Sequence, residues 1–313
     1  MELKIVTRNF SSKVGSGGFG TVFKGHLIDC TLVAVKKMDG SRQDEKQFRA
    51  EISSLGNIHH ANLVRLRGFC AGGSRRFLIY DYMPNGSLNS LLFTNNSESK
   101  QKVLDWKIRF KIALGTARGL LYLYEECRDC IIHCDVKPEN VLFDGNLSPK
   151  LADFGLAKLM GRDFSRVLTT TRGTRGYLAP EWISGLPITS KVDVYSFGMT
   201  LLEIISGRRN LDLTVQDSRQ YYFPAWVATQ IYNGNVINIV EEGIAEERDL
   251  EEVRTACIVG LLCIEKDEEV RPSMRQVVLM LEGKMQPQIP QIERCALTDK
   301  QPGLSNTDND SER

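Results

Sequence analysis

The chain has 313 residues, 42 % of them apolar and 25 % charged, with a formal net charge of +1. That balance is that of a soluble globular protein with one large domain or two ordinary ones. The near-zero charge gives no footprint for nucleic acid or an acidic membrane surface, so neither is expected as a partner and any ligand-steering charge must be local.

No apolar run approaches the roughly 18–20 residues of a membrane span; "CIVGLLCI" and "GMTLLEIISG" are too short and read as buried helix. The opening "MELKIVTRNF" has no apolar leader core, and Met-Glu is not a myristoylation start. The eight Cys are scattered and read as reduced thiols. Cys127 and Cys130 in "ECRDC" have a metal-like spacing, but no second pair stands at a finger-like distance, so a structural role is expected.

In chain order, residues 10–36 read as strands. "KVGSGGFGTVFKG" is a Gly-rich turn followed by β-formers, and "LVAVKKM" is a buried strand with a polar exit. Residues 43–59 read as a helix, with Phe48, Ile52 and Leu55 at helical spacing. "NLVRLRGFC" and "RRFLIYDYM" read as two further strands, and "PNGS" as a break. Helical patterns dominate from Leu88 to about Glu282, apart from residues 131–185. From Gly283 onward the composition is that of a disordered tail. A small β-rich part thus precedes a larger helical part, with a candidate hinge at Pro84–Gly86.

Gly15, Gly17 and Gly20, followed by Val22, form G-x-G-x-x-G. Glycines let backbone N–H groups approach phosphate oxygens, although the same turn serves as a plain hairpin. No helix follows, which argues against a dinucleotide fold. In "VAVKK", strand alternation puts Ala34 and Lys36 on one face and Val33 and Val35 on the other. A lone Lys at a strand end is usually solvated. Glu51 changes that balance, because it shares the apolar face of its helix with Phe48 and Leu55 and needs a cation there.

"HCDVKPEN" packs its polar groups between the apolar runs "CII" and "VLF". Asp135 is placed to accept a proton from a hydroxyl, Lys137 to neutralise a phosphoryl group, and Asn140 to ligate a hard metal. "DFG" follows, with Asp153 as a second oxygen ligand. Each alone reads as a polar turn; the ordered set does not. Asp193 opens an apolar helix, either as an N-terminal helix acid or with a further role. Arg271 in "RPSM" is by default an exposed Arg, with a buried pairing to Glu181 in "GTRGYLAPEW" as the other reading.

With these signatures in order over residues 10–282, the chain resembles the eukaryotic protein kinase family. The resemblance implies an α+β, bilobal protein kinase fold with a small β-rich N-lobe (10–80), a hinge (81–86) and a larger helical C-lobe (87–282). A juxtamembrane-like segment (1–9) would precede it and the tail (283–313) would follow.

By the same resemblance the glycines cover the phosphates of ATP, and Lys36 pairs with Glu51 and the α/β-phosphates. Asp135 is the catalytic base, and Asn140 and Asp153 hold Mg²⁺, with Mn²⁺ as the alternative. Tyr80 looks like the gatekeeper, Asp81 and Met83 like hinge contacts, and Val22, Ala34 and Leu142 like the walls around adenine. Leu55, His133 and Phe154 would form a hydrophobic spine anchored near Asp193.

Lys137 and "GTRGYLAPE" resemble the Ser/Thr class. "CRDCIIHCD" and "VYSFGMTLLEIISGRR" look like plant receptor-like kinases of the interleukin-receptor-associated kinase group, and "IIHCDVKPENVL" looks closest to lectin-type receptor kinases. The expected partners are protein substrates with Ser or Thr and a receptor or co-receptor. The expected place is the cytoplasmic side of the plasma membrane, through a segment absent from this chain; a free-standing cytoplasmic kinase is the other arrangement.

Cys134 stands where most kinases have Arg, so the chain resembles the non-RD kinases. A neutral thiol cannot fork onto a phosphorylated Thr, and Cys134 is expected to pack as a small hydrophobe. Thr169, Thr170, Thr171 and Thr174 remain candidate activation-segment hydroxyls. The rival functions are a pseudokinase scaffold, which the intact Lys36, Glu51, Asp135, Asn140 and Asp153 oppose, and a small-molecule kinase, which "GTRGYLAPEW" opposes. "LLYLYEEC" places Tyr124 where the resemblance leads one to expect His, and no role is assigned to it.

Overall fold

A computed structural model describes residues 2–17, 20–38, 42–56, 58–72, 75–93, 104–161, 166, 167, 169, 172–210 and 223–289. Thr170, Thr171 and the tail from residue 290 lie outside them.

The smaller N-terminal part carries an antiparallel sheet of β1 (Lys13–Gly17), β2 (Gly20–His26), β3 (Leu32–Met38), β4 (Leu66–Gly72) and β5 (Arg75–Asp81), in the order β1-β2-β3-β5-β4. The alternation of β3 works as its sequence requires. Val33 and Val35 are fully buried against Phe77 on one face, while Ala34 and Lys36 face a cleft on the other. A short helix α1 (Glu2–Val6), for which the sequence carries no periodic signal, covers the first face with Leu3, Val6 and Phe10.

Helix α2 (Arg42–Leu55) crosses the other side and buries Phe48, Glu51 and Leu55, as its spacing predicts. It ends at Leu55 rather than continuing to residue 59. Gly56, a poor helix former, follows directly, and its N–H closes the last turn onto the Ile52 carbonyl. The chain then leaves β5 through Tyr82–Pro84, and Gly86 turns at φ +70° into α3 (Leu88–Phe93).

The larger helical part is built around α6 (Lys191–Ser206), in which every residue from Val192 to Ser206 is buried. A helix buried on all sides belongs at the centre of a domain, and its polar residues, Asp193 and Glu203 among them, are met by hydrogen bonds there. Around it lie α4 (Trp106–Glu125), α5 (Pro180–Ile183), α7 (Phe223–Tyr232), α8 (Leu250–Cys263) and α9 (Met274–Leu281). Gly198 lets α6 approach α8 closely; a Cβ there would lie 2.6 Å from the Cys263 Cβ and 2.9 Å from the Gly260 carbonyl. Between the sheet and these helices run the short strands β6 (Cys130–Ile132), β7 (Val141–Phe143), β8 (Pro149–Leu151) and β9 (Lys158–Met160), paired β6–β9 and β7–β8. They carry the loop 133–140 and the segment 152–157 to the cleft. No helix of the described residues is long and apolar enough to cross a membrane.

Candidate active site

The cleft between sheet and helices has a volume of about 540 Å³, in the range typical of small-molecule sites. Its walls include Gly15, Val22, Ala34, Met83 and Leu142, and its inner end carries Lys36, Glu51, Asn140 and Asp153. Gly20 sits at φ +113°, and a Cβ there would lie 2.2 Å from the Lys37 carbonyl, so this turn admits only glycine. Gly17 pairs with Gly20 across the β1–β2 hairpin.

At the inner end Lys36 Nζ donates to Glu51 Oε1 at 2.6 Å and to Asp153 Oδ1 at 2.9 Å. Burial acts against the Lys36 charge, but the two carboxylates outweigh it and push its pKa up. The Asp153 side chain is 24 % exposed; desolvation acts to raise its pKa, yet Lys36 holds its carboxyl below the usual range. Burial dominates at Glu51 and pushes it up to about 7, against the pull of Lys36. The Tyr80 hydroxyl donates to Glu51 Oε2, a contact that no local pattern announces because it spans 29 residues.

The loop from His133 to Asn140 is held from below. The Asp193 carboxylate, in the first turn of α6, accepts the His133 N–H at 2.5 Å and the Cys134 N–H at 2.8 Å. His133 Nδ1 accepts the Asp135 N–H and Nε2 meets the Ala152 carbonyl. Its ring stands edge-on to Phe154 at 4.6 Å, and Leu55 is buried in the same apolar cluster as Phe154. Asp193 therefore does more than complement a helix terminus.

Asp135 is met on both carboxylate oxygens. Lys137 Nζ lies 2.7 Å from Oδ2, which also accepts from Asn140 Nδ2. The Thr174 hydroxyl donates to Oδ1 at 2.8 Å and itself accepts from Lys137 at 2.6 Å. Thr169 is half-buried and its two neighbours in the TTT run are not described.

Cys134 packs as expected, among Ile132, Leu156, Tyr177 and Ala179, and burial pushes its thiol well up. Cys127 and Cys130 are unpaired thiols that burial pushes up to about 11, consistent with a structural role. No cluster of three or more His, Cys, Asp or Glu suited to a metal occurs among the described residues. The hard oxygens of Asn140 and Asp153 still suit Mg²⁺, which takes few protein ligands and keeps water and phosphate oxygens.

Glu181 and Arg271 form a buried fork, with N···O distances of 2.7 and 2.8 Å. Asp81 engages Arg67 through its side chain and Arg65 through its N–H. A second buried contact was not legible in the sequence. The Tyr177 hydroxyl donates at 2.7 Å to Glu203 Oε2 in α6, and burial pushes Glu203 up to about 7.

The protein kinase domain profile matches residues 8–280, and the chain belongs to the protein kinase family. Its relatives are plant receptor-like kinases. A G-type lectin S-receptor-like serine/threonine-protein kinase of Arabidopsis thaliana is 58 % identical over 295 residues, 94 % of this chain and 35 % of the relative. The kinase SD2-2 of the same class and organism is 52 % identical, over 98 % of this chain and 39 % of the relative. The rust resistance kinase Lr10 of Triticum aestivum is 46 % identical, over 91 % and 45 % respectively. The chain thus spans less than half the length of these curated relatives.

Proposed function

We propose that this chain transfers the γ-phosphoryl group of ATP to serine and threonine hydroxyls of proteins, as the signalling domain of a plant receptor-like kinase. The observation that carries this reading is the Thr174 hydroxyl seated between Asp135 and Lys137 at 2.8 and 2.6 Å. The pair already holds an aliphatic hydroxyl with a carboxylate at its proton and an ammonium at its oxygen, the arrangement a phosphoryl acceptor needs.

In this reading Gly15, Gly17 and Gly20 cover the phosphates, and Val22, Ala34 and Leu142 bracket adenine. Its edge meets the Asp81 carbonyl and Met83, since the Asp81 N–H and carboxylate are engaged elsewhere. Tyr80 closes the cleft behind the ring. Lys36, fixed by Glu51, counters phosphate charge, and Asp135 orients the acceptor and takes its proton. Asn140 Nδ2 is engaged by Asp135, so Asn140 Oδ1 and Asp153 would hold Mg²⁺ or Mn²⁺. The metal supplies charge neutralisation at the phosphates when bound. The protein's work is positioning and electrostatic stabilisation.

Cys134, where most kinases have Arg, supports reading the chain as a non-RD kinase, in which residue 134 does not couple Asp135 to a phosphorylated Thr. The kinase domain spans residues 10–282. The partners are protein substrates and a receptor or co-receptor, and the site of action is the cytoplasmic face of the plasma membrane, reached through a segment outside this chain. The names and partial coverage of the relatives support that placement. The scaffold alternative loses ground because every group needed for transfer is present and engaged. The test is Mg-ATP-dependent phosphorylation of a Ser/Thr-containing protein by the wild type beside Lys36→Glu and Asp153→Asn. Transfer by the wild type alone supports the reading; ATP binding without transfer favours the scaffold.

A further inference from the structure

We propose that the Tyr124 hydroxyl is a positioning group for phosphoryl transfer, holding the backbone of residues 133–135 through the buried Asp193 carboxylate. The inference rests on the reading of Asp135 as the catalytic base.

Tyr124 lies in the last turns of α4, and its hydroxyl donates to Asp193 Oδ2 at 2.9 Å. Asp193 has no exposed surface and accepts three hydrogen bonds, from Tyr124, the His133 N–H and the Cys134 N–H. A buried carboxylate is tolerated only when its oxygens are satisfied in this way. Burial beside Asp193 keeps the phenol far from ionising, so the hydroxyl stays a donor.

What this carboxylate holds is strained. Cys134 has φ +70°, a left-handed conformation that a non-glycine residue keeps only when its surroundings over-determine it. The Cys134 side chain offers no polar anchor, since it sits in an apolar cluster. The posture therefore depends on the two backbone N–H groups, on Asp193 that receives them, and on Tyr124 that completes the shell. His133 passes the position on by accepting the Asp135 N–H on Nδ1. Tyr124 itself does not line the nucleotide cleft. Its influence should therefore appear in the transfer step and not in ATP binding.

The experiment compares wild type, Tyr124→Phe and Asp135→Asn in steady-state transfer to a protein substrate, with ATP titrated. Loss of one hydrogen bond to a charged group predicts a kcat roughly 10-fold lower for Tyr124→Phe, with the KM for ATP unchanged. Unchanged kcat, or a KM for ATP that rises in step with the loss, overturns the proposal. If Asp135→Asn stays active, the reading of the base fails and the proposal with it; if Asp135→Asn is inactive while Tyr124→Phe matches wild type, only the role of Tyr124 fails. Hydrogen exchange on the wild-type chain gives an arm independent of any variant. The amides of His133 and Cys134 should exchange as slowly as those of the α6 core, and fast exchange there would equally overturn it.

Discussion

Replacing Glu51 by Gln separates function from stability at the inner end of the cleft. The side chain keeps its shape, with its one carbonyl oxygen towards Lys36 and its amide NH2 donating to the Tyr80 hydroxyl, but the charge facing Lys36 at 2.6 Å is gone. An ion pair becomes an ammonium-to-amide hydrogen bond with no opposing charge, a loss of about 1–2 kcal/mol. Asp153 remains 2.9 Å from the ammonium and becomes its sole carboxylate partner among these three groups. Converted at about 1.4 kcal/mol per tenfold, the loss is roughly 5- to 30-fold in kcat/KM for ATP. Stability should move the other way or not at all, because burial already penalises the Glu51 charge and pushes its pKa up to about 7. The assay is steady-state transfer with ATP titrated, paired with a thermal melt. Wild-type kcat/KM for Glu51→Gln, or a loss of activity that merely follows a fall in Tm, would refute the reasoning.

Arg271→Met leaves Glu181 buried without its fork and costs about 3–5 kcal/mol, which for a domain of this size lowers Tm by on the order of 10 °C; a shift of under about 3 °C in a thermal scan would contradict the buried pair. Glu203 holds its proton up to about pH 7 when folded, whereas an unperturbed Glu releases it at about 4.5. Between those values the folded chain binds more protons than the unfolded one, so this residue costs stability as pH rises through that window. Glu203→Gln should flatten that part of the Tm-against-pH curve, and an unchanged slope between wild type and variant would count against the shift. Joint replacement of Thr169, Thr170 and Thr171 by Ala should leave transfer activity within about threefold of wild type, because Cys134 cannot form the charge-assisted fork by which a phosphate is read; collapse of activity would show that those hydroxyls act on the loop by another route.

The parts of the site legible in the sequence are those encoded within one element. Strand alternation put Lys36 and Ala34 in the cleft, and helical spacing put Glu51 on the buried face of α2, where the structure joins it to Lys36. The pairing of Glu181 with Arg271, 90 residues apart, is only a candidate in the sequence, because no local spacing links the two, and it is present. The hydroxyl contacts of Tyr80, Tyr124 and Tyr177 were not legible. They span 29, 69 and 26 residues and depend on how separate elements pack. Helix α1 has no sequence signal, because five residues carry no periodicity and owe their order to the sheet beneath them. Helix α2 stops short of residue 59 because Gly56 follows its last apolar position, Leu55, and helix propensity fails there.

The most direct test of the kinase reading is the intact mass of the purified chain after incubation with Mg-ATP, beside Asp135→Asn, with modified residues located by fragmentation. The expected result is added phosphate on Ser or Thr of the wild type and none on Asp135→Asn. An unchanged mass for the wild type while ATP demonstrably binds, or equal phosphate on both proteins, would contradict the assignment of Asp135 and of the cleft as a phosphoryl-transfer site.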